Sequence, residues 1–437
     1  MSESPAELSD AGFARVMDCL GPFEARPHIA VAVSGGPDSL ALMHLLTAWC
    51  RARGGHLTAV TVDHGLRPES GAEAQKVAGW ARGIGASAVI LTWLGEKPQS
   101  GLQAAARQMR YELLTDWCRR ADVLHLALAH QADDQRETVA MRQARAGKDE
   151  PPGPGLAGMS AITVRHGIRL LRPMLGFCRA SIAAYLDRIG QDWIEDPSNR
   201  SLRFERVRWR SGLMGRLPDG ADIQTAGERR RRLEFAAADL LMCAAEIAPA
   251  GYVLLDPVPI RAAAVEVAEW ALGQVLMMVG GGSYRPARAA LRRDMTVALA
   301  GKGVRSLAGC LFGLWRQRLL ICRETGAAAG IVEGPGSFMW DRRFRVTCGA
   351  GGPAGFPLEI GQLGERGLRE LEKTPESSQF LGPIPALARP SLPVFRDATG
   401  RLILVPFTGY DPVGCRNELN CRFDPYNSAT SIGFTVA

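Results

Sequence analysis

With 437 residues, 46% of them hydrophobic and 22% charged, the chain is too long for one ordinary core and fits two or three globular domains; a fibrous or disordered polypeptide is excluded. No apolar run approaches the roughly 18 residues that cross a bilayer, and the opening MSESPAELSD lacks a basic start and an apolar stretch, so the expectation is a cytoplasmic protein with no membrane partner. A net charge of +7 favours a polyanionic partner without requiring one, and the ten scattered cysteines form no C-x-x-C pair of the kind that holds zinc or an iron–sulfur cluster.

The first predicted element is a strand over residues 28–33 (HIAVAV), short, apolar and rich in β-branched residues, as in a buried parallel strand. The loop SGGPDS follows, then a helix over 40–50 and a strand over 57–63. The cycle repeats with a helix over 70–84, a strand over 88–93, a helix over 102–120, a strand over 123–129 and a helix over 134–145. Four such units imply an α/β fold, a parallel sheet with helices on both faces, because right-handed crossovers return each helix onto the sheet. Ligands then bind outside the carboxyl ends of the strands. The unusual polar stretches fall there: SGGPDS, DHGLRPES, SGLQAAARQMRY and AHQADDQRET each follow a predicted strand.

After residue 215 the alternation stops. Residues 216–304 read as a helical domain, and 305–437, rich in Gly, Pro and short β-like runs, as a mixed α+β domain behind the catalytic domain 1–215. Between residues 199 and 232 stand ten Arg and no Lys against four acids, so +6 of the net +7 sits in this stretch. ERRRRLEF, at its end, reads as a charged helix face or linker. WRQRLLICRE (315–324) alternates like a strand with basic residues on one side, which solubility of an edge strand explains as well as RNA contact does.

In SGGPDS, Gly35 and Gly36 lack a Cβ, so backbone N–H groups can approach a phosphate, and Ser34 and Ser39 can add hydroxyl donors. The following helix places its N-terminal partial charge at the same point. No Lys follows the glycines as in a Walker loop, and G-x-G-x-x-G is missing. Asp134 and Glu137 stand three apart at a helix start, on one face, where they can hold Mg²⁺ or an ammonium; acids that merely stabilise a helix N-terminus are the alternative, and for Asp133 the two stand level. Arg107 and Arg110 share a helix face and can meet a phosphate or carboxylate bidentately, with Arg107 favoured, although surface arginines often face water. His44 and His125, inside a predicted helix and strand, read as packing residues.

SGGPDS after a first strand resembles the pyrophosphate-binding loop of the N-type ATP pyrophosphatases (PP-loop proteins), which cleave ATP between its α and β phosphates and adenylate an oxygen of the acceptor. Within that superfamily, VDHGLRPES, LQAAARQMRYELL, AHQADDQRETV, GLAGM, LLRPMLGFCRASIAAYL and WIEDPSNRSLRFERVRWR resemble, in family order, the tRNA(Ile)-lysidine synthase family. The resemblance covers roughly the first 210 residues and continues more weakly in RPARAAL, SLAGCLF and SLPVFRDATGRLILVP. Three departures stand out: Gln131 where the family usually has His, Ser201 where it usually has Asp, and GKDEPPGP over 147–154 in place of a Gly-Ser-Gly turn.

The resemblance implies ATP and Mg²⁺ as cofactors and L-lysine and a tRNA(Ile) with a CAU anticodon as substrates. It implies that O2 of the wobble cytidine attacks the α-phosphate and that the lysine ε-amine then attacks C2 and expels AMP, changing codon reading from AUG to AUA. It places ATP at Ser34, Gly35, Gly36, Pro37, Asp38, Ser39, Asp63 and His64, the metal at Asp38 and Asp134, and lysine at Asp134, Glu137 and Arg107; Asp38, Asp134, Glu137 and Arg107 form the catalytic set. Arg206, Arg208 and Arg210 are expected to meet tRNA phosphates, with a solvated basic helix as the alternative, and the C-terminal part to hold the tRNA body. A homodimer is compatible with the sequence but not required by it. Competing readings are a tRNA thiolase, which needs paired cysteines, an amidotransferase-linked ligase, which needs a nucleophilic Cys, and a non-catalytic tRNA-binding protein.

Overall fold

The computed structural model describes residues 8–95, 97–98, 100–145, 154–195, 208–209, 211–212, 217–282, 284–326, 330–332, 334–349, 357–374 and 377–430. The chain divides into two compact units, Met1–Arg232 with Ile432–Ala437, and Leu233–Ser431. The division falls at 232/233 rather than at 215.

The first unit opens with α1 (Asp10–Cys19), which the sequence reading omits; the Ser9 side chain accepts the Gly12 N–H at 3.2 Å as its N-cap, and Phe13 and Met17, one turn apart, are buried. Then come β1 (His28–Ala32), α2 (Pro37–Ala52), β2 (His56–Asp63), α3 (Ser70–Gly83), β3 (Ser87–Thr92), α4 (Leu102–Arg120), β4 (His125–Ala127) and α5 (Ala132–Arg145). These are the four expected strand–helix units. A hairpin follows, β5 (Ile162–Arg165) and β6 (Ile168–Leu171), turned by His166 and Gly167, both at positive φ, and then α6 (Arg179–Ile189).

The six strands are ordered β3-β2-β1-β4-β6-β5, all pairs parallel except the edge pair β5–β6. Successive residues of β1 serve opposite faces: Ile29 and Val31 pack with Leu42, Leu46, Val77 and Ile182, whereas Ala30 packs with Tyr111, Leu114 and Leu126. Helices therefore cover both faces of a mostly parallel sheet, and every strand buried on both sides is an apolar run. The chain winds from β1 outward to β3, then crosses over to β4 on the other flank of β1. This reversal makes the carboxyl edge between β1 and β4 a topological switch point.

The second unit includes the end of α7 (Gly220–Ala244), with α8 (Pro257–Ala262), α9 (Val265–Gly280), α10 (Arg288–Leu299), α11 (Gly364–Glu372) and α12 (Ser377–Leu381). Its strands are β7 (Ala245–Ile247), β8 (Val253–Leu255), β9 (Arg305–Leu307), β10 (Cys310–Trp315), β11 (Arg318–Arg323), β12 (Gly330–Val332), β13 (Gly336–Trp340), β14 (Phe344–Cys348), β15 (Leu358–Gln362), β16 (Pro393–Arg396), β17 (Leu402–Leu404) and β18 (Leu419–Phe423). They form sheets ordered β7-β8-β11-β10-β9, β12-β15-β16-β17 and β13-β14-β18.

The expected boundary at 304/305 falls inside the first of these sheets, because β8 pairs with β11. Three-residue strands such as AEI and VLL are too short to show alternation. WRQRLLICRE also departs from expectation: β11 lies inside its sheet, Leu319–Cys322 are all buried, and the flanking Arg318 and Arg323 pair with Glu246 and Asp341. Among the described residues no helix is long and apolar enough to cross a membrane.

Candidate functional site

The loop between β1 and α2 sits at the switch point and is shaped by its own hydroxyls. The Ser34 N–H donates to Ser39 Oγ at 3.2 Å, the two hydroxyls lie 3.3 Å apart, and Ser39 Oγ donates to the Gly36 carbonyl at 2.9 Å. Gly35 has φ +86°, and the Ile194 N–H donates to its carbonyl at 2.9 Å. A Cβ on Gly35 would stand 2.8 Å from Ile194 Cδ1 and 2.9 Å from Val77 Cγ2, so both conformation and space demand glycine. Gly36 caps α2 without a side chain, Pro37 occupies its first turn, and Asp38 is the acid of that turn. No side chain caps this helix N-terminus, which leaves its dipole directed at an incoming anion.

Beside the loop opens a cavity of about 590 Å³ over the carboxyl edge. Ser34 and Ser39 line it, as do Asp63 at the end of β2 and His64 after it, Arg107 and Tyr111 on α4, and Ala129 and His130 after β4. Of the expected site residues it thus gathers Ser34, Ser39, Asp63, His64 and Arg107. Gly35, Gly36, Pro37, Asp38, Asp134 and Glu137 are not among its lining residues. A cavity of about 660 Å³ in the second unit, beside Asp256, Arg261 and Arg318, contains none of the expected residues.

The Asp63 carboxyl lies below its ordinary range, first because of the Ser70 hydroxyl and then because the Gly65 N–H donates to Oδ1 at 2.8 Å. His64 is also held low, chiefly by burial and then by Arg110, whose Nε lies 3.4 Å from Nε2, with Asp63 opposing. Its Nδ1 is buried with no hydrogen-bond partner, and its ring meets Trp93 edge-on at 5.9 Å. A neutral imidazole with an unused nitrogen suits a neutral polar ligand group better than a phosphate.

The start of α5 is built differently. Gln131, fully buried, accepts the Asp133 N–H on Oε1 at 2.5 Å, and Asp134 Oδ2 accepts the Gln131 N–H at 3.2 Å. Asp133 Oδ2 accepts the Arg179 N–H at 3.0 Å, tying the start of α6 to α5, while its Oδ1 lies 3.9 Å from Arg136 Nη1. Glu137 has no exposed surface. Among the described residues no three His, Cys, Asp or Glu gather as a metal cluster. Asp38 and Asp134, one carboxylate in the first turn of each helix, would suffice for Mg²⁺ carried in by phosphates, which needs one or two protein carboxylates rather than a cage.

Arg208 is helical and half-buried, and its carbonyl accepts the Ser211 hydroxyl at 3.1 Å. Arg206, Arg210, Ser201 and residues 147–153 lie outside the described residues. Two contributors escaped the sequence reading: Ile194, whose only signal is its place before the Asp196-Pro197 pair, and Tyr111, an aromatic one helical turn from Arg107.

Comparison with known proteins agrees with this architecture. A PP-loop domain family matches residues 12–217. A tRNA(Ile)-lysidine synthase of Ruegeria pomeroyi is 39% identical over 361 residues, 79% of this chain and 82% of that protein. Proteins of the same name are 36% identical over 340 residues in Rhizobium meliloti (75% and 74% of the two chains) and 34% identical over 412 residues in Mesorhizobium japonicum (88% and 89%).

Proposed function

The chain belongs to the tRNA(Ile)-lysidine synthase family, a group of ATP-using, tRNA-modifying ligases, and on that premise we propose that it joins L-lysine to C2 of the wobble cytidine in a tRNA(Ile) with a CAU anticodon. ATP is the co-substrate, AMP and pyrophosphate are the other products, and the work is done in the cytoplasm. The cytidine O2 forms a bond to the α-phosphorus of ATP while the bond to pyrophosphate breaks. The deprotonated ε-amine of lysine then adds to C2, the C2–O bond breaks, and AMP leaves with that oxygen.

The observation that supports this reading is the uncapped N-terminus of α2, joined to the tight Gly35 turn, at the switch-point cavity. In it, backbone N–H groups and the hydroxyls of Ser34 and Ser39 take the phosphates. Asp63 accepts from ribose hydroxyls, and the unused Nδ1 of His64 meets the nucleoside. Mg²⁺, when bound with ATP, supplies positive charge that offsets the charge developing on pyrophosphate. Asp38 and Asp134 are its proposed ligands, Asp134 and Glu137 the carboxylates for the lysine ammonium, and Arg107 the group for an anion.

Arg206, Arg208 and Arg210 are proposed to neutralise tRNA phosphates, and the chain beyond residue 215 to hold the tRNA body. Losing all three arginines is expected to flatten the salt dependence of tRNA binding; an unchanged slope would remove them from the interface. The direct test of the reaction is incorporation of radiolabelled lysine into a tRNA(Ile) transcript with a CAU anticodon, with and without ATP, followed by nucleoside analysis. ATP-dependent label at the wobble cytidine is expected. ATP-dependent pyrophosphate release with another acceptor and no label would keep the loop assignment and discard lysidine formation.

A further inference from the structure

Behind the α4 wall of the cavity, three guanidinium groups converge on one phenol. Tyr111 is 8% exposed and stands one turn after Arg107. Arg107 Nη2 donates to the Tyr111 hydroxyl at 3.4 Å, and the guanidiniums of Arg107 and Arg165 lie over its ring, 5.2 and 4.8 Å from the centroid. Arg172, just after β6, is itself 8% exposed, and its guanidinium lies near enough to the Tyr111 hydroxyl to interact with it. Its Nη1 donates to the Ser160 carbonyl at 2.8 Å and to Thr163 Oγ1 at 3.2 Å, which ties it to the β5–β6 hairpin.

Among the described residues no carboxylate acts on Arg172; its charged neighbour is Arg107, which repels it, and its Nε is buried without a hydrogen-bond partner. A buried guanidinium served only by neutral groups is costly, because those bonds replace only part of its lost hydration. An apolar side chain would fill the same space at lower cost, so the retained charge argues for a role other than packing. Besides the hairpin groups that Arg172 holds, its polar neighbour is the Tyr111 hydroxyl. Arg107, in turn, is exposed on a long flexible stem, and Tyr111 restricts its rotamers at the cavity wall through a hydrogen bond and ring contact.

We propose that Tyr111 and Arg172 are positioning residues: Arg172 anchors the Tyr111 hydroxyl to the β5–β6 hairpin, and Tyr111 fixes the Arg107 guanidinium where it meets an anionic group of a substrate, the carboxylate of lysine or a phosphate of ATP. This rests on the ligase reading in placing Arg107 at the substrates. The coupling itself is separate, since it links three side chains whatever the acceptor.

The experiment is a double-mutant cycle on the full chain, with KM for lysine and KM for ATP measured separately. Tyr111→Phe removes one hydroxyl and is expected to raise one of the two KM values by about tenfold with a smaller change in kcat. A rise for lysine identifies the carboxylate and a rise for ATP the phosphate. In an Arg107→Ala background the same substitution is expected to have no further effect, which a merely structural tyrosine would not reproduce. Arg172→Lys keeps the charge but loses the planar fork, and is expected to match Tyr111→Phe in the same KM. If Arg172→Lys lowers the melting temperature so far that it does not fold, the Tyr111→Phe cycle decides alone. Effects that multiply, or a Tyr111→Phe enzyme with wild-type KM values, would overturn the proposal. Failure to form lysidine would sink the ligase reading instead, and the cycle would then be read on ATP-dependent pyrophosphate release.

Discussion

Two helix N-termini meet the carboxyl edge of the parallel sheet beside its switch point, those of α2 and α5, and they are finished in opposite ways. At α2 the cap is Gly36, the next residue is Pro37, which has no N–H, and the nearby hydroxyls of Ser34 and Ser39 bond within the loop. At α5 the cap is Gln131, whose own oxygen takes the Asp133 N–H, while Asp134 takes the Gln131 N–H. A helix end satisfied by its own side chains must exchange those bonds before it binds an anion, whereas an uncapped one need not. The comparison favours α2 as the end proposed to take the phosphates. At α5 it shows carboxylates that first hold the fold together, so any contact of theirs with lysine or metal requires part of that capping to be exchanged.

The sharpest way to break the α2 half of the comparison is Gly35→Ala. The left-handed backbone costs an alanine about 1–2 kcal/mol, and the overlap with Ile194 and Val77 adds about 1–3 kcal/mol more. Loss of turnover by more than about a hundredfold is expected, with a lower melting temperature, because the loop can relieve the strain only by moving the N–H groups proposed to hold the phosphates. Wild-type turnover in this variant would show that the anion lies elsewhere.

A paired substitution tests both ends together. Asp38→Asn and Asp134→Asn each keep a side-chain oxygen while removing the charge. Each is expected to lower turnover by roughly ten- to a hundredfold at nearly unchanged melting temperature, since asparagine has the shape of aspartate and at position 134 keeps an oxygen for the Gln131 N–H. Full activity in Asp134→Asn would reduce that residue to a capping role and move the metal or ammonium away from α5. Binding of the tRNA, measured by filter retention, is expected to stay the same in both.

Which parts of this were legible in the sequence follows from their range along the chain. β1, β2 and β3 each lie within a residue or two of their predicted bounds, because a buried parallel strand is a continuous apolar run flanked by polar loops. The β5–β6 hairpin was not, since four-residue strands joined by His166 and Gly167 present neither length nor an Asn-Gly turn. The same rule divides the site. The glycine loop is local and could be read; the burial of Glu137, the capping use of Gln131 and the wedge of Ile194 against Gly35 depend on what packs from elsewhere.

Gln131→Ala addresses the α5 half alone. It removes the oxygen that receives the Asp133 N–H and leaves a gap in a fully buried position, for a cost of about 1 kcal/mol or somewhat more. A fall of about 2–4 °C in the melting temperature is expected, with ATP affinity unchanged, because α2 is untouched. A selective loss of ATP affinity would mean that the α5 terminus, not α2, carries the phosphates.

The smallest effect separates the two compact units by pH. Burial holds His28, His64 and His125 below the ordinary histidine value, so the folded chain takes up protons less readily than the unfolded one. Their contribution is complete above about pH 6.5 and declines as pH falls from there through the folded-state values. All seven histidines lie between His28 and His166, inside Met1–Arg232. In Leu233–Ser431, burial alone would raise Glu269 and Glu370, but bonds from Arg292 and Arg288 to the first and from Arg396 to the second hold both low, so they stay ionised at pH 5.5. Hydrogen exchange corrected for its intrinsic pH dependence is therefore expected to show weaker protection at pH 5.5 than at 7.5 in peptides of the first unit, around β1, β2 and β4, and little change in the second. Equal loss in both units over this range would mean that the buried histidines of the first unit do not set the acid response.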